Sequence, residues 1–167
     1  DILVGGQGND TLISDGGNDV LYGGAGADTL AIVSTAFQRV AGGNGTDTLR
    51  LDGSGLTLDL TTLADNTLTD IEVIDITGSG ANTLTLDFQE VVNLSSTSNT
   101  LTVRGNAGDT VNIGTGWTQE SGQSVNGIFY DKFTQVAATL LVQDVVNDAP
   151  TLNALSDLTI DEDAAQQ

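Results

Sequence analysis

The sequence predicts an all-β fold, a parallel β-roll or β-solenoid closed by an antiparallel hairpin. Three observations predict it. Residues 5–31 divide without a gap into three nine-residue units, GGQGNDTLI, SDGGNDVLY and GGAGADTLA. The tripeptide Asp/Asn-Thr-Leu recurs at Asp10, Asp28, Asp47, Asn66, Asn82 and Asn99, at spacings of 18, 19, 19, 16 and 17. Between these landmarks the apolar residues come in short alternating runs, the period of a half-buried strand. A near-constant period in the high teens is what a stack of structural repeats produces.

In each nonapeptide an Asp (Asp10, Asp19, Asp28) follows a glycine-rich turn, and a Leu (Leu12, Leu21, Leu30) comes two residues later. Asp1-Ile-Leu-Val4 fits the end of an earlier unit, and Gly42–Arg50, GGNGTDTLR, restores the full pattern with Asp47. Glycine lets the backbone turn through positive φ and brings carbonyl oxygens close together. The Leu of each unit points inward from a short strand. Two units make one coil, so Asp28 stacks near Asp10 and Asp19 near Asp1. Stacked carboxylates repel unless a cation lies between them. Calcium takes about six to eight oxygens, many of them main-chain carbonyls. The candidate ligands are the carboxylates of Asp1, Asp10, Asp15, Asp19, Asp28 and Asp47. With them go the turn glycines Gly5, Gly6, Gly8, Gly17, Gly23, Gly24, Gly26, Gly42, Gly43 and Gly45.

The remaining elements follow in order. Residues 32–41, IVSTAFQRVA, lack the glycines and read as an opposite half-coil, bulged or briefly helical around Thr35–Val40. Leu56–Leu60 alternates as a strand, Thr61–Asp65 is a turn or one helical turn, and Ile71–Ile76 is the strongest strand, with Ile71, Val73 and Ile76 toward the core. Thr77–Asn82 is a degenerate turn. Phe88–Leu94 reads as a short helix, and Asn99–Val103 and Asp109–Ile113 as strands on opposite sides, joined by the turn Gly105–Gly108. From Gly114 the period is lost, and Trp117, Phe129, Tyr130 and Phe133 gather within 17 residues. Gly127–Phe133 and Ala138–Val142 read as a hairpin that covers the last coil.

The nonapeptides resemble G-G-x-G-x-D-x-U-x, the calcium-binding RTX repeat; the middle unit departs from it, with Ser14 and Asp15 where two glycines are expected. The resemblance implies a right-handed roll with Ca2+ between successive same-side turns. It also implies a secreted or cell-surface bacterial protein that leaves the low-calcium cytoplasm unfolded and folds outside, most closely a large RTX-type adhesin. The alternation from Thr48 to Val142 looks like a region found beside such repeats in very large secreted proteins. Asp144–Pro150 resembles linkers between cadherin-like or bacterial immunoglobulin-like repeats, although it departs from the usual cadherin linker by one residue between Asp144 and Asn147. Thr151–Gln167 looks like the first strand of such a repeat. The expected organisation is a calcium-binding roll over 1–50 and a continuing parallel solenoid over 51–113. An aromatic capping hairpin over 114–143, a linker over 144–150 and the start of a further repeat over 151–167 complete it. The pattern is entered and left part-way, which predicts a longer parent chain whose neighbouring domains are partners.

Composition narrows the function. The net charge is −19, and 19 of the 23 acidic residues are Asp, the residue of turns and metal sites. Such a chain is repelled by nucleic acid and by anionic membrane, and no run is long enough to insert as a helix. It should expand when divalent cations are withheld. With no His and no Cys, serine–histidine triads, thiol nucleophiles and ordinary zinc sites are excluded. Asp70, Glu72 and Asp75, with Glu90 approaching, are the one carboxylate group that glycoside chemistry could use. A non-enzymatic role is expected. Asn66, Asn82 and Asn99 read as structural turn residues, the first of them the neutral same-side neighbour of Asp47. A second reading is a carbohydrate-binding module of a polysaccharide-degrading enzyme, with Trp117 and Tyr130 as a sugar-stacking platform. A third is a self-assembling surface-layer or filament unit.

Overall fold

The computed structural model describes residues 1–95 and 98–144. The linker reading from residue 145 onward and the repeat reading at 151–167 lie outside the described residues. What is described is mostly strand, with one short helix. The N-terminal third alternates between two stacks, through β1 (Ile2–Gln7), β2 (Thr11–Ser14), β3 (Val20–Ala25), β4 (Thr29–Ile32), β5 (Arg39–Asn44) and β6 (Thr48–Leu51). Pairing is parallel and follows the nonapeptide spacing. Leu12 lies beside Leu30 and Leu30 beside Leu49 in one stack, and Leu3 beside Leu21 and Leu21 beside Val40 in the other. Leu12, Leu21, Leu30, Val40 and Leu49 are buried in one continuous core. The reason is periodic: a large apolar side chain at the same offset from the glycines in each strand meets its counterpart from the facing stack, joined by Ile32 in β4 and Leu51 in β6.

The later elements are β7 (Thr57–Asp59), a 3-10 turn (Leu60–Thr62), β8 (Leu68–Thr69), β9 (Val73–Asp75), β10 (Thr83–Thr85) and α1 (Phe88–Leu94). Then come β11 (Thr100–Arg104), β12 (Thr110–Asn112), β13 (Thr118–Val125), β14 (Ile128–Gln135) and β15 (Ala138–Gln143). They complete three sheets, in the orders β1-β3-β5-β8, β12-β10-β7 and β13-β14-β15-β11-β9-β6-β4-β2. Pairing is parallel throughout the first two. In the third it is parallel from β2 to β15, and antiparallel where β14 meets β15 and β13.

Of the two readings of residues 32–41, the bulged half-coil is the one that forms: the chain bends after Ile32, buries Phe37 and enters the opposite stack at Arg39 beside Val20, with no helical turn. Three expectations are corrected here. Asn66 does not follow Asp47 on its side: Leu68 pairs with Val40 in the opposite stack, and Val73 of β9 pairs with Thr48. The Asp/Asn-Thr-Leu tripeptide marks the start of a strand in any stack, so its spacing does not say which sheet the strand joins. The aromatic segment is three-stranded, because β13 pairs antiparallel with β14. Its sequence, TQESGQSV, has no apolar alternation and the strand is largely exposed. Ile74 is fully buried alongside Ile71, Val73 and Ile76, so β9 is covered on both faces.

The helix α1 falls where the sequence places it. Asp87 caps it, its carboxylate accepting from the Gln89 and Glu90 N–H groups at 2.8 and 3.3 Å. Val91 and Leu94 are buried. Glu90 does not approach Asp70, Glu72 and Asp75. It lies in a crevice with Leu60, Leu63, Leu68 and Leu94. Burial pushes its carboxyl up to about 7, and the neighbouring Asp87, Asp65 and Asp59 add to the effect. The folded chain therefore holds this proton from pH 4.5, the ordinary value, to about 7, where the unfolded chain has lost it. Stability from this group falls as pH rises across that window. Glu90→Gln should leave stability at pH 4 unchanged and raise it at pH 8, on the order of 1 kcal/mol once partial exposure is discounted. Urea denaturation of both proteins at the two pH values checks this.

Candidate metal centre

Three glycine-rich segments, 5–10, 23–28 and 42–47, lead from β1, β3 and β5 into β2, β4 and β6 and stack along one edge. Their backbones approach more closely than side chains allow. At Gly24, φ is +116°, and a Cβ would collide with the Gly6 carbonyl oxygen. At Gly23, a Cβ would strike the Gly42 carbonyl oxygen and lie 2.6 Å from Asp28 Oδ2. Gly5 is placed alike, with the Gly23 carbonyl oxygen at 2.5 Å and Asp10 Oδ2 at 2.7 Å from the same point. Each gap between coils is thus a small space into which a carbonyl and a carboxylate oxygen converge.

The carboxylates form a relay. Asp28 Oδ1 accepts from the Asp10 N–H at 2.8 Å, and Asp47 Oδ1 accepts from the Asp28 N–H at 2.8 Å. The second oxygen of each, Oδ2 of Asp10, Asp28 and Asp47, is buried and has no hydrogen-bond partner. Asp28 and Asp47 are 1 % and 0 % exposed. A buried acceptor without a donor is costly, and a buried carboxylate more so. Burial pushes the Asp47 carboxyl up, and the charges of Asp28 and Asp70 push it further. Among the described residues no three carboxylates gather as a metal cluster, so any cation here draws most of its ligands from carbonyl oxygens. That donor set, all hard oxygen and mostly neutral, fits calcium. The residues that would hold it are Gly5, Gly6, Gly8 and Asp10, then Gly23, Gly24, Gly26 and Asp28, then Gly42, Gly43, Gly45 and Asp47.

The opposite edge is built differently. Asp19 Oδ1 accepts from the Asp1 amino nitrogen at 2.6 Å, in the position that the N–H takes elsewhere, but Oδ2 accepts from the Ser14 hydroxyl at 2.5 Å. Asp15 is exposed, and the next turn on that edge, residues 33–38, contains no carboxylate. Gly17 has positive φ, as the motif asks. Asp1, Asp15, Gly17 and Asp19 therefore do not reproduce the arrangement of the first edge: Ser14, standing where the motif has glycine, takes up the second oxygen.

The asparagines are occupied otherwise. Asn82 Oδ1 accepts from the Leu56 N–H at 2.8 Å and its Nδ2 donates to the Ile76 carbonyl at 2.9 Å, which uses both ends of the amide. Asp109 Oδ1 and Oδ2 accept from the Asn82 and Asn106 N–H groups. Trp117 and Tyr130 do not make a stacking platform. Tyr130 is 1 % exposed, held in the central strand of the antiparallel segment. Trp117 packs on the core and donates from Nε1 to the Ile113 carbonyl at 2.5 Å. Asp75 Oδ1 accepts from Thr77 N–H and hydroxyl, and with Glu90 elsewhere the carboxylate group suggested for glycoside chemistry is not assembled.

Glu72, which the sequence grouped with Asp70 and Asp75, holds a place in the stack that sequence reasoning missed. Its Oε2 accepts from the Asp47 N–H at 2.9 Å, continuing the relay by one coil. Burial pushes its carboxyl up, with Asp47 and Asp70 adding their charge. No glycine-rich turn leads into Glu72, and the step from Asp47 is 25 residues rather than 18 or 19, so only strand register reveals it.

The stacked turns separate two costs of a side chain. Gly24→Ala combines positive φ with a backbone collision and should destabilise the calcium-loaded chain by about 3 kcal/mol or more. Gly8→Ala, also at positive φ (+104°) but with nothing within 4 Å, should cost only about 1–2 kcal/mol. Denaturant titration of both variants in excess calcium reads the difference.

The comparison with known families agrees with this chemistry at the N-terminus. No curated protein and no solved structure matches the chain. Residues 1–30 match the RTX calcium-binding nonapeptide repeat in four copies; repeats of this family bind calcium ions, are typical of secreted bacterial proteins and are structural rather than catalytic.

Proposed function

We propose that this chain is a calcium-dependent structural and spacer segment of a large secreted bacterial surface protein of adhesin type, ordered by calcium outside the cell. The observation that carries the reading is the column of buried, partnerless Oδ2 atoms on Asp10, Asp28 and Asp47, converging with carbonyl oxygens in glycine-walled gaps. In this reading the fold is a right-handed solenoid, calcium-stapled over 1–50, continuing as a parallel solenoid over 51–113 and capped over 114–143, with a linker at 144–150 and a further cadherin-like or immunoglobulin-like repeat beginning at 151. The charge of −19 supports it: self-repulsion keeps the metal-free chain expanded, and the ion supplies the missing counter-charge. Trp117 and Tyr130, the pair that favoured a carbohydrate-binding module, are engaged in packing and in a bond to the Ile113 carbonyl, which weighs against that second reading.

Binding to the folded state alone stabilises by RT ln(1 + [L]/Kd), about 4 kcal/mol at a thousandfold excess. Chelation should therefore strip the β signal from circular dichroism and calcium should restore it; an unchanged spectrum and melting temperature in chelator would sink the reading. Magnesium at the same concentration should not restore it, because its octahedral shell and tightly held water suit carbonyl-rich turns poorly. Asp28 borders two gaps, so Asp28→Asn, which keeps the Oδ1 acceptor and removes the charge, should weaken calcium binding more than Asp10→Asn in calorimetric titration.

A further inference from the structure

The geometry points to a further calcium site beyond the glycine repeats, between the 42–47 turn and the segment Asp70–Glu72, with Glu72 supplying the carboxylate in place of Asp. This rests on the calcium reading of the stacked turns and extends it to a coil that carries no repeat and lies outside the matched residues.

Three features of the earlier gaps recur there. The first is the strand pairing: Thr29 N–H donates to the Asp10 carbonyl, Thr48 N–H to the Asp28 carbonyl and Val73 N–H to the Asp47 carbonyl. Residue 72 thus stands where Asp28 and Asp47 stand in their own coils. The second is the relay: the Asp47 N–H donates to Glu72 Oε2, as the N–H groups of Asp10 and Asp28 donate to the Asp of the next coil. The third is the cradle. A Cβ on Gly42 would lie 2.7 Å from Asp47 Oδ2 and would collide with the Asp70 carbonyl oxygen. That carbonyl occupies the place held by the Gly23 carbonyl beside Gly5 and by the Gly42 carbonyl beside Gly23. Asp70 reaches it in the left-handed conformation, with φ 55°, which a residue other than glycine adopts at a cost.

An independent observation indicates a cation. Asp47 is 0 % exposed, and its Oδ2 atom, directed into this gap, has no hydrogen-bond partner. In a gap closed by a neutral residue that oxygen would stay uncompensated. Here a second carboxylate and a main-chain carbonyl approach from the other side, the same mixture of hard donors as in the repeats. The Asp70 carbonyl comes at least as close to a Cβ on Gly42 as the corresponding carbonyls come at Gly5 and Gly23, so the main-chain side of the cradle is kept while Glu72 supplies the carboxylate.

The test is a calcium titration of the full chain by calorimetry, with wild type, Glu72→Gln and Asp28→Asn compared. Glu72→Gln keeps the acceptor for the Asp47 N–H and removes only the charge. It should titrate with one calcium fewer than wild type, or with one site weakened about tenfold or more, while the other sites keep their affinity. Asp28→Asn should disturb the sites before it and after it. Full stoichiometry and affinity in Glu72→Gln, with Asp28→Asn impaired, overturns the proposal and leaves the repeat reading standing. No binding by wild type overturns both. A crystal structure of the calcium-loaded wild-type chain decides the matter even if Glu72→Gln does not fold: an ion between the Gly42–Asp47 turn and the Asp70 carbonyl is the expected result. Ions confined to the gaps before Gly42 refute it.

Discussion

A carboxylate that gives one oxygen to the chain and holds back the other governs this molecule. The bond from each turn N–H to the Asp of the next coil sets the coils in register. It also fixes the rotamer that turns Oδ2 into the gap, where nothing in the protein answers it. A polar group buried in this way is unfavourable by itself. The same bond that orders the stack thus leaves an oxygen whose burial a cation would compensate. Glycine makes the arrangement possible, because a side chain at Gly24 or Gly23 would occupy the space where carbonyl and carboxylate oxygens meet. The Leu column behind the turns supplies a conventional apolar core, so the outer edge carries the ionic chemistry and the interior does not.

The two edges of the N-terminal stack show how little separates a metal gap from a dry one. On the first edge the carboxylate's second oxygen is left over. On the other, a hydroxyl at Ser14 reaches Asp19 and the need for a cation disappears. Asn82 and Asp109 resolve the same geometry in a third way: each still takes an N–H from the neighbouring coil, yet their remaining atoms are satisfied by Ile76 and Asn106. The relay is therefore a stacking device found along much of the chain. Whether an ion is called for depends on what meets the last free oxygen.

Much of this was legible in the sequence where local chemistry dictates conformation. Glycine at fixed offsets set the spacing of 18 and 19, and with it the register of β1 to β6. The apolar run Phe88–Leu94 placed α1 to the residue. What was not legible depended on long-range pairing. After Leu51 the chain lengthens its coils, and tripeptides that look alike enter three different sheets: Asn66 leads into β8, Asn82 into β10 and Asn99 into β11. Glu72 carries no local mark of its position, since neither glycine nor Thr-Leu surrounds it. The strand β13 has a polar, solvated sequence, and its structure comes from its neighbour β14 rather than from its own pattern.

The order of strands at the C-terminal side of the largest sheet bears on growth and self-association. A parallel stack ending in a regular strand would present a row of unpaired N–H and C=O groups, a template for another chain. Here β14 runs antiparallel to β15, and β13, the outermost strand, is broken by a register shift between Glu120 and Gln123. Lys132 reaches across from β14 to Glu120 at 2.7 Å and places charge on that border. An irregular, charged, antiparallel strand is a poor seed for further parallel coils. Fibril-like extension is thereby discouraged from that border, even though every coil before it is stacked in the manner by which such assemblies propagate.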